Sequence, residues 1–131
     1  MIWFLRLLFC VVLASMLTVT SWASLHCPLL AIPADVRTHP WFIATLADAY
    51  WGFVTFYVWL AWKEPDVTGR CLWLVAVLAL GNIAMSAYVL RELFAASPGE
   101  DLARVLTRRH PRRLVLPGVL VAASAAVYAL A

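Results

Sequence analysis

Residues 41–64 read WFIATLADAYWGFVTFYVWLAWKE. The run opens after His39-Pro40, closes on Lys63-Glu64-Pro65, and carries a single charge, Asp48, along its apolar length. About 20 such residues in a helix rise about 30 Å, the thickness of a bilayer's hydrocarbon core. In lipid the backbone finds no water to bond, so a segment of this kind must be helical. Three more runs read the same way: Ile2–Trp22, Cys71–Leu90 closed by Arg91-Glu92, and Leu114–Leu130, weakened near its start by Pro117-Gly118. The expected fold class is all-α, a small polytopic transmembrane helix bundle of four spans.

Composition points the same way. The 131 residues are 65% hydrophobic and 13% charged, with a mean hydropathy of +0.89. A soluble domain is nearer half apolar and about one quarter charged. A chain this short lacks the interior volume to hide the excess. Cys10, Cys27 and Cys71 form no CxxC pair, which argues against a disulfide framework or a zinc site. Arg6 and the Ser21-Trp22-Ala23 step resemble a signal peptide, but four apolar residues precede the arginine, so Ile2–Trp22 reads as an anchor. Trp3, Trp22, Trp41, Trp59, Trp62 and Trp73 crowd the segment ends, as headgroup anchors do.

The connections are short. The third, Ser97-Pro98-Gly99-Glu100, has capping-box spacing with proline at the first helical position. Beyond it Leu102, Val105 and Leu106 recur at helical spacing, with Arg104, Arg108 and Arg109 at other positions. We read a short interfacial amphipathic helix whose cations, with Arg112 and Arg113, meet lipid headgroups rather than nucleic acid. Counted over four spans, the first and third connections hold seven cations and the other side three, which places both termini outside.

Asp48 lies about 6 Å from the middle of its helix. A charge there costs roughly 2.5–3.5 kcal/mol on insertion scales, so it should face the bundle interior. Thr45, Asp48, Gly52 and Thr55 share one face. Counting back from the turn brings Asp48 level with Met85, within reach of Asn82, Ser86 and Tyr88. The expectation is a hydrogen bond from Asp48 to Asn82 or Ser86, with Gly52 and Gly81 permitting close approach. This polar set serves either as helix glue or as a proton or substrate site. No histidine lies within a span to ligate haem, and His26, Cys27 and His39 have irregular spacing for a metal. No phosphate loop, Ser/His/Asp set or neighbouring carboxylate pair is present, so no cofactor and no ordinary enzyme mechanism is expected.

The stretches HPWFIATLADAYWGFVTFYVWLAWKE (residues 39–64) and RCLWLVAVLALGNIAMSAYVLREL (70–93), with WASL at 22–25, resemble domain-of-unknown-function family 1475. The resemblance covers roughly residues 1–94 and implies a three-helix membrane core without an assigned activity. Residues 95–131, holding the amphipathic segment and the fourth span, read as an addition to that core. Asp48 and Tyr50 in LADAY and Gly81-Asn82 in LGN fall in its most recognisable parts. The function expected is that of a multi-pass membrane protein, of the bacterial inner-membrane kind, acting as a non-catalytic accessory or assembly component. The alternative is a small oligomeric transporter using Asp48. The partners expected are the lipid bilayer and either another protein or further copies of the chain, with no nucleic acid.

Overall fold

The computed structural model describes residues 1–130, and all of the regular structure among them is helical. The chain forms α1 (Ile2–His26), a 3₁₀ turn (Leu29–Ala31), α2 (Ala34–Arg37), α3 (Pro40–Lys63), α4 (Val67–Leu80), α5 (Asn82–Phe94), α6 (Leu102–Thr107) and α7 (Val115–Leu130). Helices α1 and α3 are each long and apolar enough to cross a membrane. Helix α3 starts on Pro40, whose missing N–H costs nothing in a first turn, and His39 Nδ1 accepts from Trp41 N–H. Helix α4 starts under Asp66, whose carboxylate accepts from Gly69 N–H.

The third expected span is not one helix. It breaks at Gly81, which stands at φ 52° and ψ −124°, a backbone conformation open to glycine and closed to side-chain-bearing residues. The chain reverses there, so α5 runs back along α4. Trp73 and Tyr88, eight and seven residues from the turn, meet with ring centroids 4.9 Å apart. A Cβ on Gly81 would lie 2.6 Å from Phe53 of α3, so the turn admits no side chain on steric grounds either. Ala79 C=O, lying within the last turn of α4, accepts a hydrogen bond from Tyr128 Oη of α7. Hydrophobic continuity hid this turn, because an apolar run reads alike whether it is one helix of 20 residues or two shorter ones folded together.

The reversal brings helix ends together. Arg6, near the start of α1, bonds Leu93 and Ala96 C=O at the end of α5. The ends of α3 and α5 meet through Lys63 and Glu92, and Leu114, just before α7, lies beside Gly69 of α4. Of the ten Lys and Arg residues all but Arg37 therefore gather at one end of the bundle. The seven-to-three division expected from four straight spans is replaced by nine to one.

Packing is confined to the half of the molecule nearest that end. A first cluster joins Leu60, Trp73, Ala76, Val77, Ala84 and Tyr88. A second joins Leu93, Ala96 and Val105 with Ile2, Leu5, Phe9 and Val89. No residue before Leu60 is buried, and Leu17 to Ala31 are exposed throughout. The accessible surface is 8447 Å², against about 6,900 Å² for a compact monomer of this mass.

Gly81→Ala should destabilise the fold by about 1–3 kcal/mol through its dihedral angles alone, with the Phe53 overlap added. Thermal unfolding in detergent micelles measures this. Combining it with Phe53→Ala should remove the overlap and leave the dihedral cost. A Gly81→Ala protein that melts like the parent would mean the chain does not turn there.

Candidate functional site

Two dipeptides of opposite charge, Lys63-Glu64 closing α3 and Arg91-Glu92 in the last turn of α5, exchange partners. Lys63 Nζ lies 2.5 Å from Glu92 Oε2, and Arg91 Nη2 lies 2.5 Å from Glu64 Oε1. Lys63 also donates to Val105 C=O of α6 at 2.7 Å and sits over the Trp59 ring. Glu92 is held from two further sides, by Arg91 at 2.9 Å and by His110 Nε2 at 3.1 Å. The side chains of Lys63 and Glu92 are 1% and 2% exposed, so this is a buried ion network.

An aromatic box walls it. Tyr88 packs edge-on against Phe56, Trp59 and Trp73, and the Arg91 guanidinium lies 4.5 Å above the Tyr88 ring and 5.4 Å from that of Trp73. Arg91 thus takes two carboxylates, of Glu64 and Glu92, and two π faces, a set suited to its flat delocalised cation. Tyr88 Oη and Trp73 Nε1 are fully buried and have no hydrogen-bond partner among the described residues.

The network continues toward the loop before α7. Arg108 Nη1 bonds both oxygens of Glu100 at 2.9 and 3.0 Å, and its Nε lies 3.3 Å from His110 Nε2. The Ser97 N–H, and Arg108 with it, holds the Glu100 carboxyl below its usual range. Burial pushes the His110 imidazole below its ordinary value, against the opposing pull of Glu92. Such a set can fasten α3, α5 and α6. It offers no free nucleophile, since both glutamates are committed to cations.

The residues singled out in the sequence lie elsewhere. Asp48 is exposed, as are Thr45, Thr55 and Asn82. The packed face of α3 runs through Ala49, Phe53, Phe56 and Leu60, about 100° round the helix from Asp48. Among the described residues no hydrogen bond joins Asp48 to Asn82 or Ser86. The threonine hydroxyls turn back onto Trp41 and Trp51 C=O of their own helix. Gly52 has open space around it, so it sponsors no close helix approach. Ser86 and Tyr88 are buried, and Tyr88 lies among aromatic rings. Polarity was a poor guide to the inward face because the core here is built from aromatic rings.

At the third connection, Gly99 at φ 84° interrupts the expected capping box. Glu100 still accepts the Ser97 N–H, but the helix begins at Leu102 under Asp101, whose carboxylate lies 3.5 Å from Ala103 N. Arg104 and Arg109 are exposed, with Arg109 over the Trp62 ring, while Arg108 is spent on Glu100. Arg112 reaches Asp66 at 3.5 Å, and Arg113 is exposed. His26, Cys27 and His39 do not converge, and among the described residues no three His, Cys, Asp or Glu side chains could share a metal. The network of Lys63, Glu64, Arg91 and Glu92 was missed. Its signal was present as two adjacent opposite-charge pairs, KE and RE, each closing an apolar run.

The family model described as "Protein of unknown function (DUF1475)" matches residues 1–113. The chain belongs to the DUF1475 family. The match runs past Phe94, so it takes in α6, the whole ion network and the arginines up to Arg113, leaving only α7 beyond it. No curated protein and no solved structure matches the chain. The DUF1475 match therefore contains every charged partner of the clasp, His110 and Glu100 included.

Removing Lys63 as Lys63→Met should cost about 3 kcal/mol, because Glu92 is left buried with excess negative charge. In a double-mutant cycle with Glu92→Gln the two losses should fall short of additivity by about 1–3 kcal/mol. Thermal unfolding of the four proteins in one detergent measures the coupling. Strict additivity would show that the two side chains do not act as a pair.

Proposed function

We propose that this DUF1475 protein is an integral membrane protein that acts as a non-catalytic accessory or assembly component, presenting the outer halves of α1 and α3 to a partner helix. One observation carries the reading: Asp48 stands exposed, near mid-length of an apolar helix, on a surface that none of the described residues covers. Bare in lipid, such a carboxylate is costly, whereas a neighbouring helix with a polar side chain satisfies it. Exposed Thr45, Gly52 and Thr55 beside it let a second backbone come near. The dense polar network among the described residues agrees, since it is a closed clasp.

Orientation follows from the clustered cations. With nine of ten at one end, the positive-inside rule puts the N-terminus, the α3–α4 turn and α6 together on the cytoplasmic side. Helix α4 rises about 21 Å before the turn, short of the roughly 30 Å hydrocarbon core, so α4 and α5 enter and return on the same side. Lipid headgroups at that face meet Arg109 and Arg113.

Impermeant thiol labelling tests this orientation in a chain whose three native cysteines are replaced by serine. Asp66→Cys and Arg109→Cys should react from one side of sealed vesicles and Asp35→Cys from the other. Labelling of Asp66→Cys and Arg109→Cys from opposite sides would restore a straight third span.

The accessory role is tested by extraction in mild detergent and determination of what co-purifies in fixed ratio. The expected result is a foreign membrane protein whose recovery falls about three- to tenfold with Asp48→Leu and survives Asp48→Asn. A homo-oligomer with no foreign protein, or a partner indifferent to Asp48→Leu, overturns it.

A further inference from the structure

His110 Nε2 faces two groups that make opposite demands on it. Arg108 Nε–H donates to it at 3.3 Å, and Glu92 Oε2 lies 3.1 Å away. One ring nitrogen serves one of them at a time. A lone pair there accepts from Arg108, whereas a proton there donates to Glu92. Glu92 does not need that proton, because Lys63 lies 2.5 Å from the same oxygen and Arg91 lies 2.9 Å from Oε1. The geometry fits a neutral ring with its proton on Nδ1 and Arg108 as its partner.

Charge agrees. Around the imidazole stand Lys63 of α3, Glu92 of α5 with its neighbour Arg91, Arg108 at the end of α6, and Arg113 on the same connection as His110. With His110 neutral, Lys63, Arg91 and Arg108 are matched by Glu64, Glu92 and Glu100. A proton on His110 adds a cation with no carboxylate of its own. Solvent can deliver it, since the side chain is 11% exposed. Burial holds the imidazole below its ordinary value, with Arg108, Arg113 and Lys63 acting in the same sense and Glu92 opposing them.

The contest acts on α6. Two side chains of α3 hold the carbonyls of this six-residue helix: Lys63 Nζ donates to Val105 at 2.7 Å and Trp59 Nε1 to Leu106 at 3.2 Å. An imidazolium turned to Glu92 Oε2 shares the oxygen that orients Lys63. It also leaves Arg108, the residue that closes α6, facing a cation.

We propose that His110 is a proton-operated latch on α6: neutral, it accepts from Arg108 and keeps α6 docked on α3; protonated, it exchanges Arg108 for Glu92 and releases α6. The latch does not rest on the accessory role above. A base whose value is lower in the docked state than in the open one takes up its proton on opening. Docking is therefore complete above about pH 6.5 and weakens as pH falls below it.

Hydrogen exchange of the amides of residues 105–108 in detergent micelles, corrected for the intrinsic effect of pH, tests this. Between pH 7 and pH 5 their opening should rise about tenfold in the parent and less than about twofold in His110→Gln, while amides in the middle of α3 stay protected. Arg108→Gln removes the opposing cation and should cut the rise to about threefold. A purely structural role for Arg108 would instead loosen α6 equally at both pH values. Nitrogen NMR of labelled histidine, with the His110 signal assigned by its loss in His110→Gln, should place the proton on Nδ1 at neutral pH. An equal rise in His110→Gln, an unchanged rise in Arg108→Gln, loss of protection in α3 and α6 together, or a neutral ring protonated on Nε2 each overturns the proposal.

Discussion

Everything in this bundle depends on the crossed ion pairs between Lys63-Glu64 and Arg91-Glu92. Four charges out of water would cost several kcal/mol each if left alone. Here each has an opposite charge at 2.5 Å, and Lys63 has a backbone carbonyl besides. The crossed arrangement fixes register as well as proximity. Exchanging the partners would set Glu92 against Glu64 and Arg91 against Lys63, so like charges oppose the alternative pairing of the four. The two helix ends gain a definite mutual orientation, which apolar surfaces sliding on each other would not supply.

The clasp makes sense only because the chain reverses at Gly81. A straight helix from residue 71 to 90 would carry Arg91-Glu92 some 30 Å from Cys71, far from Lys63. Glycine at a positive φ, with Phe53 pressed against its missing side chain, brings them back. The same turn limits α4 and α5 to half the length of their longer neighbours. Packing then stops where the hairpin stops, and the outer halves of α1 and α3 rise beyond it without a core. Open apolar surface on this scale is unusual for a soluble monomer and ordinary where lipid or another protein covers it.

Helical class and the long segments α1 and α3 were legible from hydrophobic run length, which is a property of consecutive residues. The hairpin was not. A lone Gly81-Asn82 within an apolar run is tolerated in many helices, and its dihedral angles are settled by tertiary contacts with Phe53 and Tyr128 rather than by its neighbours. For the same reason the placing of Asp48 level with Met85 came from counting along a helix that does not continue. The amphipathic α6 was visible because Leu102, Val105 and Leu106 repeat at helical spacing. Its anchorage was not, since it depends on Lys63, 42 residues distant in the chain.

The contrast between the two polar features bears most on function. The clasp is closed: its carboxylates are saturated, its cations stacked on rings, its contents nearly dry. Asp48 is the reverse, a single acid on an unpacked face with no partner in its own chain among the described residues. A group that stabilises its own fold is found among the contacts of that fold, as Glu92 is. Asp48 gives up that contribution and would cost free energy wherever lipid met it. Under the accessory role we propose, a partner's surface completes it. The contrast is then between a part of an assembly and a protein whose chemistry is enclosed within itself.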